Sequence, residues 1–219
     1  MATPSSAVTA SDPWEMALIH RVIRRGFEQA RDHVVAAGAE SRAAAVAEYI
    51  DFQLDGLHAH HSSEDELLWP LLLDRADLSA TVIHRMEQQH VGVHEAVETA
   101  RGEMAAWQAA PTVAAAESLA AALETISTRL AEHLAEEERD VVPLIAVHIT
   151  QAEWDHLGKV AFSKFKPHQR FTALGELLET ARPDEAARML AGLPAPVRVV
   201  WRLIGRRRYQ RFVASVRGT

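Results

Sequence analysis

Residues 60–72 read HHSSEDELLWPLL, and residues 133–145 read HLAEEERDVVPLI. Laid over one another, His60 meets His133, Glu64 meets Glu137, Asp65 meets Glu138 and Pro70 meets Pro143. The shared pattern is H-x3-E-x5-P-L. Residues i and i+4 lie one above the other on a helix, so each copy aims an imidazole and a carboxylate from one face. Two such faces meeting across a bundle axis offer two imidazoles and two carboxylates to metal ions, and a carboxylate can bridge two of them. An exposed i, i+4 ion pair accounts for either copy alone, but not for the repeat.

The surrounding sequence reads as helix. Alanine, leucine and glutamate dominate, glycine and proline are scarce before residue 150, and no run of alternating β-branched residues is present. Residues 1–11 read as a loose lead-in, and Ser11-Asp12-Pro13 as a cap with proline in the first turn. A first helix is expected over 13–37, ended by Gly38, with Ala17, Leu18, Val22, Ile23 and Phe27 at helical spacing. A second spans 41–73, with Val46, Ile50, Leu54 and Leu57 inward and Pro70 loosening its last turns. A third spans 79–107. A fourth runs from after Pro111 to His148, with Leu119, Leu123, Ile126 and Leu130 inward.

Four long helices on short connections predict an all-α, up-down-up-down four-helix bundle over 13–148. In that topology the second and fourth helices run the same way, as the repeat requires. Residues 151–219 read as a helical C-terminal extension, with helices near 151–163, 171–181, 183–192 and 196–215.

Composition narrows the chemistry. The 219 residues include 12 histidines, six of them between His58 and His94, and no cysteine. That excludes a disulfide scaffold, thiolate metal sites and thiol catalysis, and fits a reducing, cytoplasmic setting. The opening MATPSSAVTASDPW has neither a basic n-region nor an apolar core, so no secretory signal is expected. The net charge of −7 argues against nucleic-acid binding. All 30 acidic residues precede Arg198, whereas Arg198, Arg202, Arg206, Arg207, Arg208, Arg211 and Arg217 follow one another without an acid. The basic tail is expected to dock on the acidic body. The alternatives are contact with an anionic membrane surface or with a partner.

The first and third helices should complete the donor set. His20 lies in register with the apolar stripe, whereas His33 lies among polar neighbours. The third helix offers His84, His90 and His94. The order His20, His60-x3-Glu64, His90 and His133-x3-Glu137 resembles the hemerythrin-like family, the HHE cation-binding domains, over about two-thirds of the chain. That resemblance implies a four-helix bundle around two non-haem iron ions. It makes His20, His60, His90 and His133 terminal ligands and Glu64 and Glu137 bridges. Oxygen-carrying hemerythrins use a fifth histidine, in an H-x3-H pair on the third helix, and a helix-4 carboxylate five residues after its histidine. His94 and Glu138 stand at those places here, although the internal repeat favours Glu137 over Glu138. His58 and His61 are read as surface or supporting residues. His33, His84, His148, His156 and His168 read as ordinary surface or hydrogen-bonded histidines, Glu136 and Asp140 as solvated, and Trp69, Trp107 and Trp154 as packing.

Imidazole with carboxylate suits iron, manganese or zinc. A carboxylate-rich, ferritin-like site needs two E-x-x-H motifs, and the bundle has one, Glu87-x-x-His90. The implied function is binding of O2, with reaction toward peroxide or nitric oxide and electrons from an external donor. Two other readings remain. One is an oxidase or peroxide-decomposing enzyme, which needs a substrate pocket that no sequence feature marks. The other is an iron- or redox-dependent regulatory module acting through the basic C-terminal helix, which reads as amphipathic, with Val200, Trp201, Ile204, Tyr209, Phe212, Val213 and Val216 near one side and arginines elsewhere.

Overall fold

The computed structural model describes residues 10–37, 42–76 and 80–218. The expected stop at Gly38, the helix starts at Ser41 and Ser79 and the lead-in before residue 10 lie outside them. Helix α1 is Trp14–Ala37. Helix α2 runs as Ala43–Ser63, a π-helical turn Glu64–Leu68 and a last segment Trp69–Arg75. Helix α3 is Ala80–Ala109. Helix α4 repeats the design of α2: Val113–Glu136, a π turn Glu137–Val141, then Val142–His148. The extension contributes α5 (Gln151–Lys164), α6 (Arg170–Thr180), α7 (Pro183–Gly192) and α8. Helix α8 runs as Ala195–Val200, a π turn Trp201–Gly205 and Arg206–Arg217. No strand occurs among the described residues; Ala10 and Thr150 form an isolated antiparallel bridge.

Helices α1–α4 pack side by side in chain order, and α4 closes the ring against α1. An up-down-up-down bundle requires this order. Each helix buries one stripe. In α1 it is Met16, His20, Ile23, Phe27, Ala30 and Val34; in α3 it is Ile83, Met86, His90, Val93, Val97 and Ala100. These steps of three and four residues keep one face on the core. Ala17 departs from expectation: it is exposed, and Met16 takes the inward place.

The core falls into two apolar clusters. The larger includes Ile23, Phe27, Ile50, Leu54, Leu57, Val93, Leu123, Ile126 and Leu130. The smaller includes Met16, Leu68, Trp69, Leu72, Ile83, Met86, Val141 and Ile145. Between them, every bundle helix places a polar residue in a core position: His20, His60 with Glu64, His90, and His133 with Glu137. The polar layer is therefore enclosed along the bundle axis by hydrocarbon on both sides.

Both π turns in the bundle begin on the glutamate of the repeat. The Trp69 N–H reaches Glu64 O, and the Val142 N–H reaches Glu137 O, five residues back in each case. Pro70 and Pro143 follow immediately and have no N–H to continue an α-helical ladder. The helix thus resumes after a wide turn, with Pro in its first turn, rather than ending.

The N-terminal segment is anchored. The Ser11 hydroxyl donates to Ile145 O instead of capping α1, and the Asp12 N–H bonds the Gln151 side chain. Thr150 and Glu153 form a capping box at the start of α5. Arg75 binds Glu153 with both guanidinium nitrogens, tying the end of α2 to α5.

The basic tail docks through its apolar face, not its charge. Trp201, Tyr209 and Val213 pack with Leu174 of α6, and Val216 joins the larger bundle core. Among the described residues, only Arg217 of the seven arginines meets a carboxylate, Glu179, at 2.7 Å. Val200 and Ile204, expected near one side with Trp201 and Tyr209, are exposed while those two are buried. The π turn lengthens one inward step to Trp201–Gly205–Tyr209, which leaves both aliphatic residues outside. A Cβ on Gly175 would lie 2.3 Å from the Tyr209 ring, so α6 and α8 approach this closely only with glycine there.

Gly175→Ala is therefore expected to lose about 1–3 kcal/mol through overpacking and to melt several degrees lower. Gly102→Ala, in α3 where a Cβ meets nothing within 4 Å, should gain up to about 1 kcal/mol from helix propensity. Thermal melts by circular dichroism check both.

Candidate metal centre

The polar layer gathers seven side chains: His20, His60, His61, Glu64, His90, His133 and Glu137, all buried. They form two groups whose donor atoms lie within 4.8 Å of one another, His61 with His90 and His133, and His20 with His60 and Glu137. Glu64 lies between the groups, and Glu137, a member of the second, also faces the first. Glu64 is 3.3 Å from His60 Nδ1 and 3.6 Å from His90 Nε2. Glu137 is 3.2 Å from His20 Nε2 and 3.7 Å from His133 Nε2. Each carboxylate thus faces one histidine of each group.

His90 Nε2 and His133 Nε2 lie 3.2 Å apart, and most of the other donor atoms are not satisfied by protein. His20 Nε2, His60 Nε2, His61 Nε2 and all four oxygens of Glu64 and Glu137 are buried without a hydrogen bond. They are seven of the ten such side-chain atoms among the described residues. Unpartnered lone pairs in a hydrocarbon core are costly, about 1–3 kcal/mol each and more when charged. Divalent cations satisfy them all at once, so the donor set fits a metal centre.

Electrostatics point the same way for three of the imidazoles. Burial brings His60 down to about 3 and His133 down to about 4, and holds His61 well below its ordinary value. These imidazoles are neutral at pH 7 and keep a lone pair for a metal. Burial works to lower His20 as well, but Glu137 and Glu138 outweigh it and raise it. Burial, reinforced by the nearby Glu137 charge, pushes Glu64 well up. Burial also pushes Glu137 upward, yet His20, His60 and His133 override it and bring it below the usual carboxylate range.

Outside the donors lies an orienting shell. Glu138 Oε1 is 2.9 Å from His20 Nδ1 and accepts from Arg24. Asp65 Oδ1 is 2.7 Å from His90 Nδ1 and accepts from Trp69 Nε1. Gln89 Oε1 is 3.0 Å from His133 Nδ1, and its amide donates to Glu136, which also pairs with Arg85. A partner on the outer ring nitrogen fixes the tautomer and aims the inner one. Asp65 and Glu138 occupy matching places in the repeat, so the outer shell follows the same pseudo-symmetry as Glu64 and Glu137.

The structure brings together all six residues named from sequence and adds His61, which the sequence reading had left outside. The corresponding residue in the second copy is Leu134, so the repeat carries no signal for His61. Its ring stacks on His90 at 3.9 Å between centroids. His94 is exposed and does not enter. Glu138 stands behind His20 rather than between the groups, and Glu136 supports Gln89 instead of being solvated. His33, His58, His84, His148, His156 and His168 lie outside the cluster, and Trp69 is a buried packing residue that also serves Asp65.

A half-open groove of about 460 Å³ between α2 and α3 is lined by Leu54, Leu57, His61, His90, Val93 and Val97, among others. It reaches the outer side of the His61, His90 and His133 group only.

Residues 14–145 match the model of the hemerythrin HHE cation-binding domain. The chain belongs to this family. No curated protein and no solved structure matches it. The family's cation binding and the inward His/Glu groups describe the same layer of this bundle. No helix among the described residues is long and apolar enough to cross a membrane.

Removing an orienting carboxylate should loosen the metal without unfolding the bundle. Asp65→Ala and Glu138→Ala are each expected to weaken metal affinity about 10–100-fold, read by competition with a chromophoric chelator. His94→Ala should leave it unchanged.

Proposed function

We propose that this hemerythrin-like protein holds two non-haem iron ions, binds O2 and reacts with peroxide or nitric oxide in the cytoplasm, with electrons from a separate donor protein. The observation that carries the reading is the position of Glu64 and Glu137, each between a histidine of one group and a histidine of the other. Two separate mononuclear sites do not need carboxylates there; a pair of ions sharing bridges does. Five imidazoles against two carboxylates make a site of low negative charge, which favours ferrous iron over the ferric state relative to a carboxylate-rich site.

His61, His90 and His133 would hold one ion and His20 and His60 the other, with Glu64 and Glu137 between them. Two iron ions, when bound, supply one-electron redox steps and open coordination positions for a small ligand. The chain does the rest. Asp65, Glu138 and Gln89 fix the imidazole tautomers. Leu68, Met86 and Val141 on one side and Leu57, Val93 and Leu130 on the other keep bulk water from the layer.

Protein produced with iron and never exposed to chelator should carry about two irons per chain, and a His60→Ala/His133→Ala variant few. One zinc, or no metal in either, would defeat the proposal. Stopped-flow mixing of the ferrous protein with O2, peroxide and nitric oxide should change its spectrum; silence toward all three would remove the small-ligand role while leaving the metal site.

The groove favours a second reading, an oxidase acting on an organic substrate. Its volume lies in the range of small-molecule pockets, and His61 and His90 form part of its wall. Multiple turnover on such a substrate, lost in Glu64→Ala, would establish it. Stoichiometric reaction alone would exclude it.

A further inference from the structure

Among the described residues ten large apolar side chains are exposed, and five of them fall between residues 197 and 204: Val197, Val199, Val200, Leu203 and Ile204. Leu203 is 66% exposed and Val199 and Ile204 are each 53% exposed. At helical spacing the five share roughly half the circumference at the start of α8. The opposite side is occupied: Trp201 and Gly205 pack against α6, where a Cβ on Gly205 would meet Phe171 at 2.7 Å. The helix is thus anchored, and the aliphatic row is held outward as a convex edge. Arg202, Arg206 and Arg207 lie beside it, exposed and in no ion pair among the described residues.

Neither the metal centre nor the bundle uses this surface. Isolated exposed valines need no explanation, but five within eight residues, flanked by free guanidiniums, do. We propose that the start of α8 is a docking surface for an anionic lipid membrane, with the aliphatic row entering the headgroup–acyl boundary and the arginines meeting lipid phosphates.

Charge complementarity selects this occupant. A two-fold pairing with a second copy would place Arg202, Arg206 and Arg207 of both copies against one another, and a head-to-tail pairing would continue into open chains. A nucleic acid would satisfy the guanidiniums but leave the aliphatic row against its phosphates. An anionic bilayer takes both: hydrocarbon for the row and phosphate for the rim. Each arginine close to such a surface contributes about a fivefold factor in partitioning. The inference does not rest on the metal reading.

The test is sedimentation of the full chain with vesicles of phosphatidylglycerol mixed with phosphatidylcholine, beside vesicles of phosphatidylcholine alone. The parent should bind the anionic vesicles at least about fivefold more, and lose that binding as salt rises. Leu203→Asp/Ile204→Asp and Arg202→Gln/Arg206→Gln/Arg207→Gln should each abolish the preference, with metal content and circular dichroism unchanged because all five side chains are exposed. Equal binding to both vesicle types, no binding by the parent, or binding by either variant at the parent level would overturn the proposal. So would a dimer by sedimentation equilibrium that Leu203→Asp/Ile204→Asp dissolves, which would assign the surface to a second copy.

Discussion

Seven lone-pair-bearing atoms face one another in the middle of a hydrocarbon core without a hydrogen bond to protein, and the bundle is organised around that fact. His20, His90, His133 and the two glutamates occupy positions that the three–four spacing of their helices assigns to leucine or valine. Above and below them the stripes return to Ile, Leu, Val and Met. Such a layer opposes folding unless cations or protons fill it. The orienting partners Asp65, Glu138 and Gln89 argue against protons as the answer. They engage the outer nitrogens of His90, His20 and His133 and leave the inner nitrogens directed at a common space.

The π turns explain how two helices carry this load in the same way. A glutamate four residues after a histidine points inward only while the helix is regular, and a proline six residues after the glutamate removes a backbone donor. A wide turn beginning on Glu64 and on Glu137 absorbs the loss and lets the inward stripe continue as Leu68 and Leu72, and as Val141 and Ile145. Proline is not the only route to such a turn. Trp201–Gly205 in α8 has none after it and instead accommodates close packing on Phe171.

Much of this was legible in the sequence because it is periodic. Helix extents matched closely, since apolar spacing and the Gly and Pro boundaries agree. His20 could be chosen over His33 because it shares the apolar stripe. The residues that were not legible are those whose role depends on where a helix axis lies relative to its neighbours. Consecutive residues on a helix diverge by about 100°, so His60 and His61 both face the site only because α2 is aimed at the gap between the two groups. No pattern within α2 states that. Asp65 and Glu138 were visible as a repeated acidic pair, but their task lies on α3 and α1. Val200 and Ile204 were placed near one side with Trp201 and Tyr209 on the assumption of an unbroken α-helix, and the π turn in α8 removed that assumption.

His61 also breaks the symmetry that the repeat establishes. Its counterpart, Leu134, is a buried apolar residue, so one group has three imidazoles and the other has two with a carboxylate close by. The same side chain forms part of the wall of the groove between α2 and α3, whereas His20 and His60 are enclosed by α1, α2 and α4. The two donor groups in this layer are therefore unequal in imidazole count and in access. The more nitrogen-rich group lies beneath the groove. The other, beside Glu137 and supported by Glu138 and Arg24, lies away from it. The difference in imidazole count follows from His61 on α2, where the repeat has Leu134 on α4.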